Sequence, residues 1–215
     1  MEIFLDTGNL KEIEEAVSYG VVSGVTTNPT LLSREEGDYK EILKKICDLV
    51  KGPVSAEVIS TDKEGMVKEA RELKKLSEHI VIKIPCIEEG IKAAYELEKE
   101  KIPVNMTLVF SPLQALLAAK AGVSYVSPFV GRLDDIGHDG VSIVEQILTI
   151  FRNYGFSTKI IFASVRHPNH VLWAATAGVD IATVPYKVFK QLIKHPLTDR
   201  GLERFLKDWE KVRKG

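Results

Sequence analysis

The sequence predicts a closed (β/α)8 barrel, and three observations carry that expectation. Eight short runs rich in β-branched residues recur along the 215 residues. Between them lie amphipathic stretches with helical spacing. On strand after strand a polar residue falls near the C-terminal end, on one side of the alternation. Strand and helix in turn imply right-handed βαβ units and a parallel sheet, and eight such units in about 200 residues fit a compact barrel. A doubly wound open sheet is the alternative. It would usually carry a Gly-rich first turn for a nucleotide, and Asp6-Thr7-Gly8-Asn9 is not that fingerprint.

The strand candidates, in order, are Glu2–Asp6, Gly24–Asn28, Val54–Val58, Ile80–Ile84, Pro103–Thr107, Ser124–Ser127, Lys159–Ser164 and Asp180–Val184. The first helix is signalled by Leu10, Ile13, Ala16 and Val17 on one face. Ile42, Leu43, Ile46, Leu49 and Val50 mark another, and Ile143, Val144, Ile147, Leu148 and Phe151 a third. After Pro196, the spacing of Leu202, Phe205, Leu206, Trp209 and Val212 adds a helix beyond the eighth unit, from about 198 to 215. It covers the barrel's own flank or docks on a neighbouring subunit. The segment Gly131–Gly140, with its Asp, Gly and His content, reads as a functional loop. No Pro/Gly/Ser linker or low-complexity tract interrupts the alternation, so one domain over 1–215 is expected.

Alternate residues of a barrel strand point inward. With Lys83 inward, Ile82 and Ile84 face the helices. With Asp6 inward, Ile3 and Leu5 face out; with Glu57 inward, Ala56 and Val58 do. Asn105 and Thr107 share one inner face, Ser127 leaves Val126 outward, and Ser164 is expected to leave Ile161 and Ala163 outward. The polar residues thus converge at the C-terminal mouth, where barrel enzymes keep their active sites.

The gross numbers exclude several classes. A formal net charge of -1 and 45% hydrophobic residues suit a water-borne globular chain rather than a nucleic-acid or membrane binder. No apolar segment approaches the length of a membrane span. Two cysteines, Cys47 and Cys86, read as small reduced hydrophobes, and the opening Met-Glu-Ile-Phe-Leu-Asp lacks a signal peptide's basic start and apolar stretch; both favour a cytoplasmic location. His167 and His170 stand three apart, a metal-ligand spacing, but no inner-face carboxylate cluster accompanies them, and no metal is expected. The most informative residue is Lys83, inside the apolar run His79–Pro85. Burial disfavours an ammonium, so such a lysine is paired, reaches water, or serves as an amine nucleophile toward a ketone.

At this point the chain resembles a known family, the transaldolases, and in particular their short bacterial branch, sometimes called transaldolase C-like. The resemblance is carried by Leu5-Asp6-Thr7, Gly24-Val25-Thr26-Thr27-Asn28-Pro29, Ser55-Ala56-Glu57-Val58, Val81-Ile82-Lys83-Ile84-Pro85 and Asn105-Met106-Thr107. It continues through Ser127-Pro128-Phe129-Val130-Gly131-Arg132-Leu133-Asp134-Asp135 and Ala163-Ser164-Val165-Arg166. It spans essentially the whole chain. It implies a class I, Schiff-base barrel enzyme that needs no metal or dissociable cofactor and acts on sugar phosphates. By resemblance, Lys83 forms the Schiff base with the ketose phosphate. Asp6 is the acid/base on the sugar hydroxyl, although the residues alone also allow it to cap the helix that starts near Asn9. Glu57 and Thr107 hold the water that shuttles protons. Asn28, Asn105 and Ser127 bind the three-carbon unit, with turn chemistry before Pro29 as the other reading of Asn28. Arg132, Ser164 and Arg166 take the phosphate, with a clamp from Arg132 to Asp134 or Asp135 as the other reading of that arginine.

The nearest rival within the fold is fructose-6-phosphate aldolase, which releases free dihydroxyacetone. By the same resemblance, those enzymes tend to carry glutamine in place of Glu57, tyrosine in place of Phe129, and no Ser164-x-Arg166 pair; this chain has the transferase residue at each place. A non-catalytic phosphosugar-binding barrel would need Arg132, Ser164 and Arg166 but has no use for Lys83, Glu57 and Asp6 together. The short branch commonly forms pentameric rings and decamers, which implies a homo-oligomer here.

Overall fold

The computed structural model describes residues 1–214. Eight parallel strands close in sequence order, β1 (Glu2–Asp6), β2 (Val22–Thr26), β3 (Val54–Glu57), β4 (Ile80–Pro85), β5 (Val104–Val109), β6 (Tyr125–Pro128), β7 (Lys159–Phe162) and β8 (Ile181–Pro185), with β8 pairing back on β1. The helices are α1 (Leu10–Ser18), α2 (Pro29–Leu32), α3 (Tyr39–Val50), α4 (Lys63–Lys74), α5 (Glu88–Lys99), α6 (Pro112–Lys120), α7 (Val130–Asp135), α8 (Gly140–Tyr154), α9 (Pro168–Ala177), α10 (Tyr186–Leu192) and α11 (Pro196–Lys214). The barrel and the added C-terminal helix are as the sequence predicts; Gly215 lies outside the described residues.

Local chemistry starts these helices where the alternation left room. Asn9, Asp38, Asp62, Ser111 and Asp139 each accept hydrogen bonds from backbone N–H groups of the first turn, satisfying donors a helix cannot bond internally. Asn9 therefore caps α1, and Asp6 is left to the barrel. Pro29, Pro112 and Pro168 open α2, α6 and α9, where a missing N–H is harmless.

Two packing layers result. Outward-facing Leu5, Val25, Ala56, Ile82, Ile84, Val104, Met106 and Val126 meet Ile13, Ile46, Val67, Ala94, Leu97 and Ile147 from the helices in one continuous core. Inside the barrel, Phe4, Ile161 and Ile181 form a separate apolar floor with Tyr125 against it. This corrects one expected orientation. Ile161 points inward and Ala163 lines the inner cavity, while Ile160 and Phe162 face the helices. The strand ends at Phe162, and Ser164 takes a left-handed backbone (φ 63°), so counting alternate residues back from Ser164 gives the wrong face.

A second correction concerns Gly131–Gly140. Its first half is helical, because Val130 and Leu133 are buried and the peptide N–H of Gly140 donates to Asp134 Oδ1 at 3.0 Å. Strand β2 begins two residues before its expected start and ends at Thr26 rather than Asn28, since Val22 pairs with Ile3 and Asn28 is spent as the cap of α2. Cys47 is buried and Cys86 half-buried, both as free thiols, and burial pushes the Cys86 thiol up to about 11. Among the described residues, no helix is long and apolar enough to cross a membrane.

Helix α5 rests on the strand end that carries Lys83. A Cβ on Gly90 would lie 2.1 Å from the Pro85 carbonyl oxygen and 3.2 Å from Ile84 Cγ2. Gly90→Ala is expected to destabilise the fold by about 1–3 kcal/mol through overpacking, lowering the melting temperature by roughly 3–10 °C. A calorimetric scan beside the parent checks this; an unchanged melting temperature would mean that α5 is free to lift away.

Candidate functional site

The upper interior of the barrel is polar, and register sets it out. Glu57 on β3 stands beside Lys83 on β4, and Lys83 beside Asn105 on β5. All three side chains share the inner parity, so they meet inside the closed sheet. Lys83 Nζ lies 3.0 Å from Glu57 Oε2 and donates to the Thr27 carbonyl at 3.0 Å. The side chains are 6% and 15% exposed, which makes this a desolvated pair. Removing one partner of such a pair strands a buried charge, at a cost of about 3–5 kcal/mol.

Asn105 is fully buried, and both of its polar side-chain atoms are bonded. Its Nδ2 donates to Ser55 Oγ at 3.1 Å and its Oδ1 accepts from Ser127 Oγ at 2.7 Å. Thr107 Oγ1, by contrast, is buried with no hydrogen-bond partner among the described residues. An unsatisfied buried hydroxyl costs about 1–3 kcal/mol, so this one sits where a polar ligand or water is called for.

Asp6 ends β1, half-buried in the same chamber. Thr26 Oγ1 donates to Asp6 Oδ1 at 2.8 Å, and Thr183 Oγ1 lies 2.5 Å from Thr26 Oγ1. Burial raises the Asp6 carboxyl above its ordinary value of 3.8, and this outweighs the opposing pull of Lys83 and the Thr26 hydrogen bond. A carboxyl poised above the usual range is suited to giving and taking protons.

A cavity of about 190 Å³ opens above these groups. Of the residues the sequence singled out, Asp6, Asn28, Lys83, Ser127, Phe129, Arg132, Ser164 and Arg166 line it; Glu57, Asn105 and Thr107 do not. Asn105 and Glu57 instead support its wall through Ser127 and Lys83. The turn reading of Asn28 is seen in its Oδ1, which accepts from Leu31 N at 2.9 Å, and the residue also lines the cavity.

The rim is cationic. Arg132 stacks over the Phe129 ring, 4.9 Å from its centroid, and Phe110 meets the same ring edge-on at 5.8 Å. The carboxylate clamp belongs to the other arginine: Arg166 Nη2 bonds Asp135 Oδ2 at 2.7 Å. Gly131 makes this arrangement possible, since a Cβ there would fall 2.0 Å from the Ser164 carbonyl oxygen and 2.8 Å from Arg166 Cγ. His170 receives the Arg166 backbone N–H on Nδ1 at 3.3 Å and sets Nε2 3.0 Å from Asp134 Oδ2, tying α9 to α7. His170 therefore serves to hold the rim together.

Sequence reasoning missed Thr26, Thr183 and Ser55. Thr26 and Ser55 do sit two residues before Asn28 and Glu57, so parity could have found them. Thr183 has the inner parity of β8, a strand from which no polar residue was drawn.

A closed parallel barrel with a buried lysine–carboxylate pair and two arginines at its mouth defines a recognisable class. Residues 3–215 match the family described as Transaldolase/Fructose-6-phosphate aldolase, and the chain belongs to that family. Among its relatives, a protein of Petrotoga mobilis named probable transaldolase is 64% identical over 211 residues, covering 98% of this chain and 96% of the relative. Proteins with the same name from Kosmotoga olearia and Aquifex aeolicus are each 62% identical, over 215 and 212 residues, with at least 98% of both chains covered in each comparison.

The raised Asp6 value has a consequence for stability. As pH rises past 3.8 the unfolded chain loses this proton before the folded one, so the folded state holds more protons and stability falls through that window. Asp6→Asn keeps an acceptor for Thr26 and removes the desolvated charge. It is expected to be more stable than the parent near neutral pH, with an advantage that shrinks to nothing below about pH 4. Urea midpoints at the two pH values check the sign; a variant less stable at neutral pH would show that attraction to Lys83 outweighs desolvation.

Proposed function

We propose that the chain is a transaldolase, moving a dihydroxyacetone unit from fructose 6-phosphate or sedoheptulose 7-phosphate to an aldose phosphate such as erythrose 4-phosphate or glyceraldehyde 3-phosphate. The observation that carries this reading is the desolvated Lys83, 3.0 Å from Glu57, in one chamber with Asp6 and below Arg132 and Arg166. The reaction would run in the cytoplasm, in the non-oxidative pentose phosphate pathway.

In the proposed sequence, Glu57 accepts a proton from Lys83, and the freed amine attacks the ketone carbon. The carbinolamine loses its hydroxyl as water, protonated by way of Glu57, and leaves a protonated imine. Asp6 takes the proton of the hydroxyl two carbons along. The adjacent carbon–carbon bond breaks, its electron pair flows into the imine to give an enamine, and an aldose phosphate departs. The enamine then attacks the acceptor's aldehyde carbon while Asp6 returns its proton to the aldehyde oxygen. Water hydrolyses the new imine and frees Lys83. The unpartnered Thr107 hydroxyl suits the water of the first and last steps. Ser127 and the Asn28 amide face the hydroxyls of the three-carbon unit.

Arg132 and Arg166 would hold the phosphate. Arg166 and Asp135 are 44% and 53% exposed, so their pair is worth at most about 1 kcal/mol and exchanges readily for a phosphate. Phe129 adds an apolar wall with no proton to offer the enamine, which favours waiting for an acceptor over release of dihydroxyacetone.

Leu202, Phe205, Leu206, Trp209 and Val212 of α11 are each 58% exposed or more, an apolar stripe that suits burial against another copy of the chain. A ring or decamer is the assembly this reading favours. Light scattering is expected to report a multiple of the chain mass; a monomer at micromolar concentration would remove the proposal.

Given fructose 6-phosphate alone, the protein is expected to release little glyceraldehyde 3-phosphate beyond one turnover; adding erythrose 4-phosphate should start steady release. Steady release without acceptor means the aldolase instead. Borohydride in the presence of substrate should attach a three-carbon unit to the parent and not to Lys83→Met, read by mass. Equal labelling of both would end the Schiff-base reading.

A further inference from the structure

Strand β1 is flanked by β2 on one side and β8 on the other, and each neighbour sends one threonine to the chamber beside Asp6. Thr26 and Thr183 are each 3% exposed, at the wall of the cavity. A threonine hydroxyl has one proton. Thr26 gives its proton to Asp6 Oδ1 at 2.8 Å, so across the 2.5 Å contact with Thr183 it must be the acceptor. The order is therefore Thr183 to Thr26 to Asp6, three strands in one hydrogen-bonded line.

We infer that Thr183 is a positioning residue for the acid/base step, acting through Thr26. This rests on the proposed role of Asp6. A hydroxyl that accepts a hydrogen bond becomes a stronger donor, so Thr183 strengthens the bond that Thr26 makes to the carboxylate. It also fixes direction. Were Asp6 to carry its proton on Oδ1, Thr26 would have to turn and donate to Thr183, whose own proton would then need another acceptor. Thr26 is the hydrogen-bond partner of Thr183 among the described residues. In this order a proton taken from substrate goes to Oδ2, the oxygen that Thr26 does not hold.

The charges that face Asp6 are Lys83 from β4, Arg166 beyond β7 and Glu57 from β3. Substitution at 183 leaves all of them in place, which isolates the hydroxyl. Thr183→Val keeps the shape and deletes the donor; Thr183→Ser restores it.

The experiment is the pH profile of kcat/KM for transfer, with kcat and KM resolved separately. In Thr183→Val the carboxylate loses support, so the acidic limb should move to higher pH by roughly half a unit. The kcat should drop roughly three- to tenfold as proton return slows, with KM within about twofold and borohydride trapping at Lys83 unimpaired. Thr183→Ser should return the limb to its parental position. Where the valine variant fails to accumulate, Thr183→Ala carries the same expectation. A parental profile in the valine variant overturns the inference, as does a rise in KM alone, which would make Thr183 a substrate contact. Asp6→Asn separates the two levels. If that variant loses transfer while Thr183→Val matches the parent, only the inference about Thr183 fails. If it keeps both transfer and the acidic limb, the role of Asp6 fails and takes the inference with it.

Discussion

A lysine held inside a closed barrel is the constraint on which the rest of this structure depends. Closure removes sheet edges and leaves Lys83 only 4% exposed, so a charge there needs partners from the protein. The fold answers with a carboxylate on the neighbouring strand at the same level and a carbonyl from just past the end of β2. Each of those partners then needs its own surroundings. Glu57 must end β3 on the inner parity, and β2 must finish at Thr26 so that the Thr27 carbonyl can turn inward. A buried polar network is stable only when its members are satisfied. Asn105, held between Ser55 and Ser127, shows the same rule applied to the neighbouring strand.

The barrel is graded from floor to mouth. Phe4, Ile161 and Ile181 close the bottom with apolar packing, so neither water nor substrate passes through. The middle layer carries buried groups that bond within the protein, with the Thr107 hydroxyl as the exception among the described residues. The rim carries arginines that are free to change partners. Energetics separate the two ion pairs: the buried Lys83–Glu57 pair is expensive to break from one side, whereas the exposed Arg166–Asp135 pair is nearly neutral. In the proposed reaction this grading has a use. The phosphate end of the sugar trades one carboxylate for another at little cost, while the reacting end meets groups already oriented and dry.

Helix α11 stands apart from this scheme. Its polar and apolar residues follow helical spacing as cleanly as those of α3 or α8, yet its apolar stripe faces solvent within one chain. The amphipathic pattern announced a helix and a buried face; it did not say against what.

Much of the fold and most of the cavity wall were legible in the sequence, because both follow from local periodicity. Alternation every second residue identified the strands and turned Asp6, Glu57, Lys83, Asn105, Thr107 and Ser127 to one side, and it did so wherever the strand was regular. It failed at Ser164, where a left-handed residue breaks the alternation and reverses the faces of Ile161 and Ala163. It also failed to assign the carboxylate clamp, which went to Arg166 rather than Arg132 because helix α7 presses through Gly131 against that arginine. By itself the sequence determined which residues could point inward, since pleating is a property of each strand alone. Only the tertiary structure decided which of them touch. Lys83 meets Glu57 because of inter-strand register, and Thr26 meets Thr183 across 157 residues because the barrel closes β8 onto β1. Register and closure belong to the whole sheet, and no single stretch of the chain encodes them.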